Sequence, residues 1–212
     1  MYLGRIVAVG MTSEGKAAAM YRVSSRSFPN REAVKKGDIV SIMPRAGFED
    51  DLTKSPYIAY NCVRLAGEYA VVSNGSQTDP IAEKIAMGLP PRDALALTLL
   101  AMDYEKDSYN TPRIVAVVKQ NSAEAYLGIV RKDAVIVRSF DLKPGDAYYI
   151  STYEKDTPQD ENHDGAFDAA DAAEACTYII KKGVFADFEL PVTSAAVIAA
   201  GDSFDIATET VT

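Results

Sequence analysis

The sequence predicts an α+β fold in which two mainly antiparallel sheets face each other and helices cover their outer faces. Three observations point there. Nine or ten apolar-rich strand candidates occur in groups rather than in strict alternation with helices, which argues against a doubly wound parallel sheet. Only three helix candidates accompany them, and one is apolar around most of its circumference, as an element buried on more than one side would be. The chain has 212 residues, 48% apolar and 25% charged, long enough for one large core. No linker interrupts it, so residues 1–212 read as a single domain.

The elements follow in order. Residues 2–12 and 17–24 are strand candidates separated by a Ser-Glu-Gly turn. Strands at 38–43, 57–65 and 69–73 are each bounded by Gly, Pro or Asn. Thr78 or Asp79 caps a helix with Pro80 at its first position, ending before Gly88. Pro90-Pro91 opens a second helix from Arg92 to about Glu105, carrying Ala94, Leu95, Leu97, Leu99, Ala101 and Met102. Four strands come next, at 113–119, 125–131, 134–140 and 147–152. A third helix spans about 168–181 and stops before Gly183. Residues 192–200 and 203–207 close the fold as strands.

Composition removes several chemistries. His163 is the single histidine and lies in an acidic stretch, so a Ser-His-Asp triad is disfavoured and a multi-histidine zinc site is excluded. Cys62 and Cys176 are far apart and form no CxxC pair. No GxxxxGK[ST] or GxGxxG phosphate loop is present. The start, MYLGRIVAVG, has no leader pattern, and no apolar run reaches membrane-span length. The expectation is a cytoplasmic protein with no membrane role.

Net charge is −8, but residues 154–212 hold 13 acidic and 3 basic groups, whereas residues 1–45 hold 8 basic and 3 acidic. A local excess of that size is weak for nucleic acid, which needs a long basic face, and suits one small anionic ligand such as a phosphate.

Four segments carry chemistry. In Tyr21-Arg22-Val23-Ser24-Ser25-Arg26-Ser27-Phe28-Pro29-Asn30-Arg31, Arg22 and Ser24 share a strand face and the Pro29-Asn30 turn folds Arg31 back. Arginine forks and hydroxyls grip phosphate; solvated arginines on a polar loop are the plain alternative. In Pro56-Tyr57-Ile58-Ala59-Tyr60-Asn61, Tyr60 and Asn61 point to opposite faces, and core packing is the plain alternative for the tyrosine. Asn74 sits in a strand-to-turn junction, Val72-Ser73-Asn74-Gly75-Ser76. Glu105 ends the apolar helix, where the negative end of the helix dipole raises a carboxylate pKa and suits it to proton transfer.

In this order and spacing, YLGRIVAVG, YRVSSRSFPNR, PYIAYN, VVSNGS and LLAMDYEKD resemble the archaeal-type IMP cyclohydrolase family, strongly over residues 1–155 and more loosely beyond. The resemblance implies a four-layer αββα sandwich like that of the N-terminal nucleophile hydrolases, and closure of the formamidoimidazole carboxamide ribonucleotide (FAICAR) to inosine monophosphate (IMP) and water. It also implies Arg31, Tyr60 and Glu105 as the catalytic set, no catalytic cofactor, and a homo-oligomer, a tetramer. Beside it, Arg22, Ser24, Ser25 and Arg26 are candidates for the 5′-phosphate and ribose, and Asn61 and Asn74 for the purine edge. Which of Glu105 and Tyr60 is the base stays open. The chain begins Met1-Tyr2 rather than with Cys, Ser or Thr, so amide hydrolysis by an N-terminal nucleophile is not expected. The alternative from another class is a non-catalytic purine-nucleotide-binding module.

One acidic loop falls outside the resemblance and reads as an insertion at about 156–171. Asp160, Asn162, Asp164, Ala166 (through its carbonyl), Asp168 and Asp171 match positions 1, 3, 5, 7, 9 and 12 of a calcium loop, with Gly165 at the turn. The expectation is a structural Ca2+, the alternative an acidic loop whose Asp residues cap the third helix.

Overall fold

The computed structural model describes residues 1–211. Among these, strands β1 (Arg5–Met11), β2 (Ala17–Ser24), β10 (Ala147–Ser151), β11 (His163–Asp164), β12 (Pro191–Ala200) and β13 (Ser203–Thr210) form one sheet in the order β11-β10-β1-β2-β12-β13. A second sheet runs β3-β4-β5-β6-β7-β8-β9 from β3 (Arg31–Lys36), β4 (Ile39–Pro44), β5 (Tyr60–Ala66), β6 (Tyr69–Ser73), β7 (Arg113–Lys119), β8 (Glu124–Val130) and β9 (Val135–Asp141). Neighbouring strands in both sheets pair antiparallel.

Three apolar layers hold these sheets and the helices together. Between the sheets, Val7, Val9, Tyr21, Val23 and Val197 meet Ile42, Cys62, Val72, Ile114 and Leu127. Outside the first sheet, Ile6, Met20, Tyr149 and Ile198 pack under helix α4 (Ala172–Lys181) through Ala175, Cys176 and Ile179. Outside the second, Val71, Val115 and Val117 pack under α2 (Thr78–Ala86) and α3 (Pro91–Met102) through Ile81, Ile85, Leu95 and Leu99. The result is the expected α+β sandwich with helices on both outer faces. The short α1 (Asp51–Lys54) completes the helices in chain order.

Several elements differ from expectation, each for a physical reason. Strand β3, RE-AVKK, was not expected because it is mostly charged; it is an edge strand that buries only Arg31 and Ala33, and edges carry charge where central strands do not. Helix α3 leaves Leu97 and Leu100 exposed and is therefore not buried on more than one side. It also ends earlier, because Asp103 adopts φ 59°, where a helix cannot continue. Helix α4 begins at Ala172, not near Asp168; Asp171 is its N-cap and accepts the backbone N–H of Glu174.

Candidate active site

A cavity of about 450 Å³ opens at one end of the sandwich, within the range of small-ligand sites. The topology explains its place. In the first sheet the starts of β1 and β12 lie beside the ends of β2 and β10. In the second, the starts of β3, β5 and β7 lie beside the ends of β4 and β6. Arg5, Ser25, Arg26, Ser27, Arg31, Tyr57, Glu105 and Tyr153 line it from these strand ends and their connections.

Glu105 lies at its floor and is 1% exposed. It is past α3, in a loop held by its own N–H donating to the Thr111 carbonyl at 2.8 Å. Arg5 Nη2 donates to Glu105 Oε2 at 2.8 Å, and Arg113 Nη1 stands 3.9 Å from Oε1. Oε1 is buried and accepts no hydrogen bond, a costly state for a carboxylate oxygen. Burial raises the Glu105 pKa above the ordinary carboxylate value, with Arg5 and Arg113 opposing it. The expected cause, the helix dipole, is replaced by burial, since Glu105 no longer ends the helix.

Arg31 opens β3 and is 2% exposed; its Nε donates to the Phe28 carbonyl at 3.1 Å. Tyr60 opens β5, buried, with its Oη 2.6 Å from that of Tyr21. Both phenols are raised by burial, and Arg31 and Arg5 counteract this at Tyr60. Behind Glu105 a recess of about 20 Å³ is lined by Tyr60, Gly75, Ser76, Glu105 and Arg113. The three residues named as catalytic thus come to one place, Arg31 and Glu105 on the cavity wall and Tyr60 in the adjoining recess.

A family model described as IMP cyclohydrolase-like protein matches residues 2–203. The chain belongs to the IMP cyclohydrolase-like family. It is 50% identical over 207 residues to the IMP cyclohydrolase of Methanocella arvoryzae, covering 97% of this chain and 96% of that one. It is 47% identical over 196 residues to that of Methanosphaera stadtmanae, covering 92% and 93%. To that of Halobacterium salinarum it is 47% identical over 209 residues, covering 98% and 97%.

Within this member of the family, the expected binding residues separate into two groups. Ser25 and Arg26 line the cavity mouth, with the Arg26 guanidinium 4.1 Å over the Tyr2 ring. The other four lie elsewhere. Arg22 and Ser24 do share a face of β2, but it is the outer face, under α4. Arg22 is wholly buried: Nε donates to Ser24 Oγ at 2.9 Å, and Nη1 donates to the carbonyls of Ile180 at 3.0 Å and Phe185 at 2.9 Å. Burial lowers its pKa to about 10, so it stays a cation at neutral pH. Asn61 faces α2, donating to Asp79 at 3.0 Å and accepting from Ser41 at 2.7 Å. Asn74 is fully buried, donating to the Pro112 carbonyl at 2.9 Å and accepting from Gln77 and the Ile114 N–H at 2.8 Å; it shapes the turn that carries Gly75 and Ser76. The sequence reading did not single out Arg5, Arg113 and Tyr21, nor Ser27, Tyr57, Tyr109 and Tyr153 on the cavity wall. The available signal for Arg5 was a lone charge at the head of an otherwise apolar strand.

The acidic segment runs from β10 through β11 to α4, and its candidate ligands are committed separately. Asp160 pairs with Arg138 at 2.6 Å. Asn162 Nδ2 donates to the Thr157 carbonyl at 2.9 Å. Asp164 accepts the N–H groups of Ala166 at 3.0 Å and Val184 at 2.9 Å. Asp168 accepts Ser13 Oγ at 2.9 Å, and Asp171 caps α4. One orphan, Asn162 Oδ1, is buried without a partner. Among the described residues no group of three or more His, Cys, Asp or Glu converges on a common point. As folded, the loop does not fit a calcium cage, because its carboxylates staple it to Arg138, Ser13 and α4 instead. A ligand that bound only the folded protein would raise Tm by mass action. Thermal melts with added Ca2+ and with chelator are therefore expected to coincide.

Proposed function

We propose that this protein closes FAICAR to IMP and water, the ring closure that completes the purine of IMP. The single observation that carries this reading is Glu105: a buried carboxylate with one oxygen held by Arg5 and the other, 3.9 Å from Arg113, accepting no hydrogen bond. A module that only bound an anionic nucleotide would gain nothing from a carboxylate beside its ligand. The relatives named above support the reading across nearly their whole length.

The chemistry asks for proton transfer and charge stabilisation, and a metal has no required part in it. An amide nitrogen is a poor nucleophile, so the carboxamide must be oriented and lose a proton as it attacks the formyl carbon. Glu105 takes that proton as the C–N bond forms. The formyl oxygen becomes negative; Arg31 stabilises it and Tyr60 protonates it. The ring C–OH bond then breaks as protonated Glu105 gives its proton to the departing hydroxyl and the Tyr60 phenolate takes the proton of the formamido nitrogen. The two protons lost by nitrogen leave on the water, and Glu105 and Tyr60 end as they began. Arg26, Ser25 and Ser27 suit the 5′-phosphate at the mouth, and the rings of Tyr57, Tyr109 and Tyr153 suit the flat base.

The test is purified protein with FAICAR, followed by ultraviolet absorbance with and without chelator. Rapid, chelator-insensitive closure is expected; saturable IMP binding without closure would favour the binding module. Arg26→Ala is expected to raise KM roughly 10- to 100-fold, the worth of a lost hydrogen bond to a charged group, with kcat little changed. A homo-oligomer fits the exposed Met87, Leu97 and Leu100, and light scattering in solution tests it. A cytoplasmic setting fits a step of nucleotide synthesis; among the described residues no helix is long and apolar enough to cross a membrane.

A further inference from the structure

We infer that Tyr21 is a positioning residue for ring closure, its hydrogen bond setting the direction in which Tyr60 presents a proton; the inference rests on the proposed reading of the site. Tyr21 belongs to β2 in the first sheet and Tyr60 to β5 in the second, so their 2.6 Å Oη–Oη contact crosses the central core. Tyr21 is fully buried, with Val7 and Ala195 as its neighbours in register on β1 and β12.

The direction of the bond follows from the surroundings of the two hydroxyls. A buried hydroxyl without an acceptor costs about 1–3 kcal/mol. Among the described residues, the Tyr60 oxygen is the one hydrogen-bond partner of the Tyr21 hydroxyl. Among the described residues the same contact is also the one hydrogen bond of the Tyr60 hydroxyl. Tyr60, however, borders the recess, into which its own O–H can turn, whereas Tyr21 is enclosed by the apolar layer. The donor is accordingly assigned to Tyr21. Only one proton fits between the two oxygens, so the Tyr60 proton turns away, and Tyr60 also forms the recess wall with Glu105 and Arg113. When Tyr60 gives up that proton, the Tyr21 O–H remains aimed at the phenolate and stabilises it.

Packing alone does not require the Tyr21 hydroxyl, because its surroundings in the central layer are apolar and a phenylalanine ring fills the same space. The groups facing Tyr60 are Tyr21 from β2, Arg31 from β3, Arg5 from β1 and Cys62 on its own strand, with Glu105 and Arg113 across the recess. Burial raises the Tyr60 pKa, and Arg31, Arg5 and the Tyr21 bond each pull it back. At Tyr21 burial and the neighbouring Tyr60 both push upward, with Arg5 and Arg31 opposing them. Tyr60, which borders the recess with Glu105 while Tyr21 does not, is the phenol of the pair that ionises during turnover.

The experiment is Tyr21→Phe, Tyr60→Phe and the double variant, each assayed for kcat, KM and pH dependence with FAICAR and checked for IMP binding. Tyr21→Phe is expected to lower kcat roughly 10- to 100-fold, the worth of a hydrogen bond to a charged group. KM and IMP affinity stay near wild type. The basic limb of the kcat profile moves to higher pH, because the phenolate of Tyr60 loses its donor. In the Tyr60→Phe background the same change costs nothing further. Unchanged kcat in Tyr21→Phe, an unmoved basic limb, or losses that add in the double variant would each overturn the inference. Failure of the underlying reading looks different: wild-type protein would not close FAICAR, or Tyr60→Phe would turn over normally.

Discussion

Glu105→Gln is expected to lower kcat by about 10²- to 10⁴-fold, the usual contribution of a positioned general base, while the protein remains folded and binds IMP. The amide keeps the carboxylate's shape and can still accept from Arg5, so the cavity floor survives. What it loses is the ability to take the carboxamide proton through Oε1, the oxygen left without a partner. The pH profile supplies a second reading of the same group. Glu105 works ionised, so activity falls as pH drops through its pKa. Burial holds that pKa above the ordinary carboxylate value, placing the acid limb correspondingly high. Undiminished turnover in Glu105→Gln would remove this residue from the mechanism.

Arg22→Met is expected to cost stability rather than substrate affinity. The guanidinium sits beneath the last turn of α4 and the 3-10 turn at Gly183–Asp187, donating to main-chain carbonyls of both and to that of Phe188. A cation there also meets the negative end of the α4 dipole. Removing it leaves several carbonyls buried and unpaired, a loss on the order of 3–5 kcal/mol. For a chain of this size that lowers Tm by about 10 °C. KM for FAICAR is expected to stay at the wild-type value. A raised KM with an unchanged Tm would instead return Arg22 to the phosphate.

These two residues mark where the sequence was legible and where it was not. Strands β2, β6 and β7 are visible to the residue, because apolar runs bounded by Gly, Pro or Asn leave few other conformations. Edge strand β3 is not, because its pairing with β4 depends on main-chain hydrogen bonds that its charged side chains do not announce. Arg31, Tyr60 and Glu105 could be named together only through resemblance to a family. They lie 29 and 45 residues apart in the sequence, and no local pattern joins them.

Alternation along β2 does place Arg22 and Ser24 on one face, opposite Tyr21. It cannot say which face looks toward the cavity, because all eight residues of the strand are buried. In a sandwich covered by helices on both sides, each sheet has two apolar faces, so the usual contrast between a wet and a dry side is absent. The sequence by itself therefore determined most of the strands and helices, their mainly antiparallel grouping and the family. Only the tertiary structure decided which arginine meets the carboxylate, which one caps a helix from below, and which tyrosine stands behind Tyr60. Those outcomes depend on strand ends from two sheets meeting at one edge, and long-range packing, not local propensity, sets that meeting.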